Sequence, residues 1–221
     1  MPDLLVTGTD TGVGKTVVTA ALLLGLRARG VKAVGFKPAE TGMAPGETAD
    51  SELLAQASGV DEPLARPLLR LAEPLAPAIA ADRAGVALAA ESVRDRVAAL
   101  RAAGYRLLVE GAGGVMVPLA WGFTALDLAA DVGLTAVIVA RVGLGTLNHV
   151  VLTAEALRAR GVPLAGVVLN GRGDPPDLAE QTNPDALPRL LPGVRVLVTP
   201  RTAARGLESA RQLQPLLEGL L

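Results

Sequence analysis

Cysteine is absent from the 221-residue chain, and histidine occurs once, at His149. The first absence excludes disulfides, thiolate metal sites, Fe–S clusters and a cysteine nucleophile. The second leaves no ligand set for a histidine-based zinc site and no ordinary Ser-His triad. Aromatic residues are confined to Trp121, Tyr105, Phe36 and Phe123. The core must therefore be built from Leu, Val and Ala, and the stacking platforms that grip single-stranded nucleic acid are not expected. A net charge of −1 gives no electrostatic footprint for nucleic acid. No run approaches the roughly 20 apolar residues of a membrane span. The start, Met1-Pro2-Asp3, has neither the basic region nor the apolar stretch of a signal peptide. The expectation is a cytoplasmic protein with no nucleic-acid or membrane partner. With 50% hydrophobic and 19% charged residues, the chain can bury a large core, and its length fits one domain over residues 1–221.

Lysine is also scarce. Of 21 basic residues only Lys15, Lys32 and Lys37 are lysines; the rest are arginine. Arginine presents a planar fork, whereas lysine is a compact point charge. Lysines that persist in so arginine-rich a chain are candidates for work that a guanidinium cannot do. Lys32 reads equally well as an ordinary surface residue.

Short apolar runs alternate with helical stretches. Strands are expected at Leu4–Thr7, Val31–Lys37, Arg106–Glu110, Thr135–Ala140, Leu164–Leu169 and Val194–Val198, with a possible extension at Val115–Leu119. Helices are expected at Lys15–Arg29, Ala49–Ala57, Glu91–Ala103, Thr124–Ala130, Gly145–Arg160 and Gly206–Leu220, several of them followed by glycine. Residues 38–48 and 171–184 read as loops. Residues 60–88, broken by Pro63, Pro67, Pro74 and Pro77, give no firm element. Strands apolar on both faces and separated by helices imply an α/β fold, a parallel sheet covered by helices on both faces. In such sheets ligands bind beyond the carboxyl ends of the strands.

The first strand runs into Gly8-Thr9-Asp10-Thr11-Gly12-Val13-Gly14-Lys15-Thr16, which opens the first long helix. Amides of a Gly-rich turn at a helix N-terminus cradle phosphate, the lysine reaches the β/γ-phosphates and the hydroxyl ligates Mg²⁺. The regular spacing G-x-x-x-x-G-K-[ST] would put the first glycine at position 9; here it is Gly8, so the loop is a variant. The second strand delivers Lys37-Pro38-Ala39-Glu40-Thr41 to the same rim. A second lysine there suits transfer of a γ-phosphoryl group to an anionic acceptor, where charge builds on both partners. Glu110 ends a strand immediately before Gly111-Ala112-Gly113-Gly114, the place of an acid that binds a nucleotide's metal. Asp50 is a second candidate ligand, and Asp50 or Thr48 could equally cap the helix. Asn170 stands at a strand exit where a carboxamide can read an adenine edge. Asn148 lies near a helix start that could hold a carboxylate; its neighbour His149 reads as structural or interfacial. Asn183, before Pro184, reads as a turn residue.

These segments, in their order along the first 170 or so residues, resemble dethiobiotin synthetase, an ATP-dependent family of P-loop fold. The resemblance implies that 7,8-diaminononanoate takes up CO₂ as a carbamate, that ATP phosphorylates it, and that the neighbouring amine closes a ureido ring. It implies that Lys37 and Lys15 surround the γ-phosphate and carbamate, and that Thr16, Asp50 and Glu110 hold Mg²⁺. Gly12, Val13, Gly14, Lys15, Thr16, Val17, Asp50, Glu110, Gly111, Ala112 and Gly113 would line the nucleotide, and Asn170 would meet the base. Thr41, Thr11 and Asn148 are the implied substrate contacts, the last across the interface of a homodimer. The chain departs from familiar members at Gly12, where an acidic residue is often found, and at Val196-Leu197-Val198-Thr199-Pro200-Arg201, a weak match to the usual adenine segment.

Two other readings fit part of the pattern. A dimerising partition or division-site ATPase would carry a lysine within Thr9–Thr11, where none stands. A cobyrinate-type amidase would bring a glutaminase with a cysteine nucleophile, which this chain lacks; a related ligase acting on another substrate is the nearer alternative.

Overall fold

The computed structural model describes residues 2–42 and 49–221. Of the two cap candidates, Thr48 lies outside them, and Asp50 is not the cap but the first residue of its helix, with Ala49 at the cap position. Six parallel strands form the central sheet: β1 (Leu4–Gly8), β2 (Ala33–Phe36), β5 (Arg106–Gly114), β8 (Thr135–Arg141), β9 (Leu164–Arg172) and β10 (Arg195–Pro200). Their order across the sheet is β10-β9-β8-β1-β5-β2. Consecutive side chains on these strands serve opposite faces. Leu5, Ile138 and Val167 join one apolar cluster, while Leu4, Val6, Val139 and Val168 join the other. Both faces are thus covered, as continuous Leu/Val runs demand. Helices α1 (Lys15–Ala28), α2 (Asp50–Ser58) and α8 (Gly206–Leu213) pack on one side. The other side takes α4 (Ala90–Ala102), α5 (Ala125–Val132), α6 (Thr146–Ala159) and α7 (Leu178–Leu190). Among the described residues no helix is long and apolar enough to cross a membrane.

Several elements differ from expectation. The stretch 60–88 contains a 3-10 turn at Pro63–Ala65, strand β4 (Leu69–Leu71) and helix α3 (Pro77–Arg83). Strand β4 pairs in parallel with β3 (Ala39–Thr41), setting Glu40 opposite Arg70. Short strands β6 (Pro118–Ala120) and β7 (Phe123–Thr124) form an antiparallel hairpin where only a strand extension was expected. Helix α7 begins inside the segment read as a loop. Pro184 and Pro188 each forfeit an intrahelical hydrogen bond, which is why the sequence pattern hides it. A capping box between Asp177 and Glu180 starts the helix, and Leu187 is fully buried against the sheet. Asn183 is not a turn residue: it is buried in α7, and its Nδ2 donates to the carbonyls of Val142 (2.7 Å) and Gly143 (3.1 Å). The last helix gives way at Gln214 to a 3-10 segment, Gln214–Leu220, with a proline in its first turn.

Candidate active site

The sheet order makes β1, β5 and β2 neighbours. The carboxyl ends of β1 and β2 therefore bring the P-loop and Lys37 to Glu110, which does not end its strand as expected but lies within β5, because the ladder with β1 continues to Gly114. The loop's early glycine has a steric reason. A Cβ on Gly8 would stand 2.7 Å from the carbonyl oxygen of Asp10 and 2.9 Å from that of Gly113. Gly12 and Gly14 have φ of +74° and +93°, the left-handed region that favours glycine.

The ends of the P-loop are held by polar contacts. Lys15 Nζ donates to the Asp10 carbonyl oxygen at 3.2 Å, and Arg141 pairs with the Asp10 carboxylate at 3.1 Å. Burial is the largest influence on Lys15 and pushes its ammonium below the usual lysine value. An anion seated in the loop would favour its charged form.

Lys37 lies at the centre of the charge cluster. Its ammonium donates to Glu110 Oε1 at 3.0 Å and pairs with Asp50. Burial alone would lower its pKa, but the two carboxylates outweigh this and hold it above the usual lysine range. Thr16 donates its hydroxyl to the same Glu110 oxygen at 2.9 Å. Glu110 is fully buried, and its Oε2 has no hydrogen-bond partner among the described residues. A buried carboxylate oxygen without a partner is unfavourable unless something else fills its coordination. Among the described residues no three acidic or histidine side chains form a metal-binding cluster. Two carboxylates and a hydroxyl remain, a set suited to Mg²⁺, which takes one or two carboxylates and completes its shell with phosphates and water. Thr16, Asp50 and Glu110 thus fit the expected ion. The sequence reading treated Lys37 and the carboxylates as separate groups; the structure joins them.

A cavity of about 720 Å³ opens above this cluster. Thr11, Gly12, Gly14, Lys15, Thr16, Lys37, Thr41, Asp50, Ala112 and Gly113 line it, and Pro74–Pro77, before and at the start of α3, close one side. Val13 and Gly111 are buried behind it, and Val17 is half-buried on α1. Asn170 sits beside the loop instead. Its Nδ2 donates to the Val13 carbonyl (2.9 Å), and its Oδ1 accepts from the buried Thr199 hydroxyl (2.6 Å). One amide hydrogen and one lone pair remain for a base. Asn148 and His149 are exposed on α6, outside the cavity of their own chain. Sequence reasoning gave Thr199 no contact with Asn170, took Asn183 for a turn residue and missed the Pro74–Pro77 wall. The clustered prolines were the only local signal for the last.

Asn170 also explains Gly14. A Cβ there would come within 2.1 Å of Asn170 Nδ2, whereas a Cβ on Gly12 meets nothing within 4 Å. Gly12→Ala adds backbone strain of about 1–2 kcal/mol. Gly14→Ala adds a clash as well, so it is expected to show the larger fall in melting temperature and a loss of nucleotide affinity. Adding Asn170→Ala should recover part of the stability but not of the affinity. Equal effects of the two alanines would contradict the close contact of Asn170 with Gly14.

Residues 3–202 match a family model described as an AAA domain. The ATP-dependent dethiobiotin synthetase BioD of Anaeromyxobacter sp. (strain K) is 50% identical over 191 residues, covering 86% of each chain. The protein of the same name from Rhodococcus jostii (strain RHA1) is 48% identical over 190 residues, 85% of this chain and 81% of its own. That of Mycobacterium leprae (strain TN) is 45% identical over 194 residues, with 87% and 84% covered. Among solved structures, apo McdA from Cyanthece superposes with a TM-score of 0.58 at 14% identity, covering 100% of this chain and 96% of that one. At that identity the likeness concerns the fold alone.

Proposed function

The chain belongs to the ATP-dependent dethiobiotin synthetase family, and from that premise we propose how its residues carry out the family's reaction in biotin biosynthesis. The substrates are ATP, CO₂ and 7,8-diaminononanoate. One amine of the diamine takes up CO₂ as a carbamate. A carbamate oxygen attacks the γ-phosphorus and ADP leaves, giving a carbamic–phosphoric anhydride. The second amine attacks the carbonyl carbon, phosphate departs and the ureido ring closes.

The observation that carries this reading is Lys37. A buried ammonium, delivered by a different strand from the P-loop, stands beside the metal-type carboxylates. Binding a nucleotide calls for Lys15 and the loop amides. Bringing an anionic carbamate against a γ-phosphate calls for a further fixed cation between them. Lys15 holds the phosphate chain from the loop, and Lys37 meets the oxygens shared by donor and acceptor. Thr16, Asp50 and Glu110 would hold Mg²⁺, which neutralises charge on the β- and γ-oxygens when it is bound. Thr11 and Thr41, both lining the cavity, offer hydroxyls to the diamine.

The active form is a cytoplasmic homodimer. Support for the dimer comes from α6. Asn148 is exposed there, with Leu144 96% and Leu152 61% exposed nearby. At the start of the same helix the Thr146 hydroxyl is buried with no protein partner among the described residues. A helix N-terminus with a spare hydroxyl suits the substrate's carboxylate, reached from the cavity of the second copy.

Phosphate release from Mg·ATP tests the reading, with and without the diamine and bicarbonate. Release is expected only with both, and the product should have the mass of the cyclic urea. Release independent of the diamine would make the chain a P-loop ATPase with another acceptor or none.

A further inference from the structure

Among the described residues, helix α2 begins at Asp50 without a cap of its own. The preceding residue, Ala49, offers no side-chain oxygen. The first-turn amides of a helix need acceptors, and the helix dipole favours a negative charge there. The acceptor comes from another element. Glu40, on β3, receives the Ser51 backbone N–H on Oε1 at 2.5 Å and the Ser51 hydroxyl on Oε2 at 3.0 Å. Glu40 is only 2% exposed, an unfavourable place for a carboxylate unless it is paired and hydrogen-bonded. Its partner is Arg70, whose Nε lies 3.1 Å from Oε2 and whose Nη2 donates to Ser51 Oγ at 2.8 Å. The β3–β4 register sets Glu40 and Arg70 opposite each other, so this clamp is built into the ladder.

Ser51 is the residue next to Asp50. We infer that Glu40, with Arg70 as its counter-ion, is a positioning residue that fixes the first turn of α2 and thereby sets the Asp50 carboxylate beside Lys37 and Glu110. The short segment from Lys37 to Thr41 then acts on Asp50 twice. Lys37 pairs with its carboxylate directly, and Glu40 holds the backbone that carries it. Asp50 needs such a hold because its own side chain is 44% exposed, and among the described residues its side-chain ion-pair partner is Lys37. The inference rests on the proposed role of Asp50 as a Mg²⁺ ligand.

The test is a double-mutant cycle between Glu40→Ala and Asp50→Asn, followed in two ways. One is the Mg²⁺ concentration that half-activates phosphate release. The other is the calorimetric affinity for a non-hydrolysable ATP analogue as Mg²⁺ is varied. Residues that orient metal ligands typically change metal affinity about 10–100-fold when removed. Glu40→Ala is expected to raise the Mg²⁺ requirement by at least about tenfold, Asp50→Asn to do the same, and the double variant to be no worse than Asp50→Asn alone. Where Glu40→Ala does not fold, Arg70→Gln on the half-exposed partner replaces it in the cycle, with the same expectation. A lowered melting temperature with an unchanged Mg²⁺ requirement, or effects that multiply in the double variant, would overturn the inference while leaving Asp50 as a ligand. A wild-type Mg²⁺ titration in Asp50→Asn would instead remove Asp50 from the metal site, and the inference with it.

Discussion

Replacing Lys37 with alanine is expected to reduce turnover by about 10²–10³-fold, the range seen when one fixed donor to developing charge is removed. ATP affinity should stay within a few-fold, because the loop amides and Lys15 still hold the phosphates. The substitution has a second consequence that a purely catalytic lysine would not show. Lys37 is the counter-charge of the fully buried Glu110. Breaking such a pair from one side is destabilising by about 3–5 kcal/mol, since the remaining charge is buried without compensation. Melting temperature should therefore fall, and millimolar Mg²⁺ with ATP should restore more of it in the variant than it adds to the wild type. The pH dependence follows from the raised pKa. Stability from this pairing is fully present below the ordinary lysine value and is lost only as pH rises through the higher folded-state value. In the wild type this contribution should accordingly be flat across neutral pH. Normal turnover in Lys37→Ala would remove the lysine from the reaction.

The second large effect is expected at Glu110. Glu110→Gln keeps the shape but lacks the charge that holds Lys37 on one oxygen and leaves the other oxygen free for a cation. The Mg²⁺ requirement should rise by about an order of magnitude or more, and turnover at saturating Mg²⁺ should fall by about 10²-fold. Lys37 keeps Asp50 as a partner, so Glu110→Gln should be less destabilising than Lys37→Ala. A Mg²⁺ titration that overlays the wild type would sink the role given to this carboxylate. The melting curves of the two variants check the order of stabilities independently.

The groups behind these effects were legible in the sequence because their signals are local. Lys15 and Thr16 follow a glycine turn, Lys37 is a rare lysine at a strand exit, and Glu110 precedes four small residues. The strands announced themselves as β-branched and leucine runs with no polar face. What stayed hidden depends on partners far along the chain. Glu40 was visible beside Lys37 but had no reading, because its meaning comes from Ser51 and Arg70, 11 and 30 residues away through the β3–β4 ladder. Asn183 looked like a turn residue because Pro184 follows it; burial against the Val142–Gly143 backbone makes it a helix residue. Asn170 was read toward a base, but its contacts with Val13 and Thr199 required knowing that the P-loop leans over β8 toward β9.

The strand order also works as a ruler. From Lys37, at the exit of β2, to Asn170, near the carboxyl end of β9, there are four inter-strand steps, roughly 19 Å at ~4.8 Å each. With its base at Asn170 and its terminal phosphate at Lys37, a nucleotide would be measured against the whole of that span. A diphosphate anchored at the base end would fall short at the other. Hydrolysis or transfer would then shorten the ligand at the end where the acceptor sits, and the spent nucleotide would first let go of the place where the next phosphoryl group must arrive.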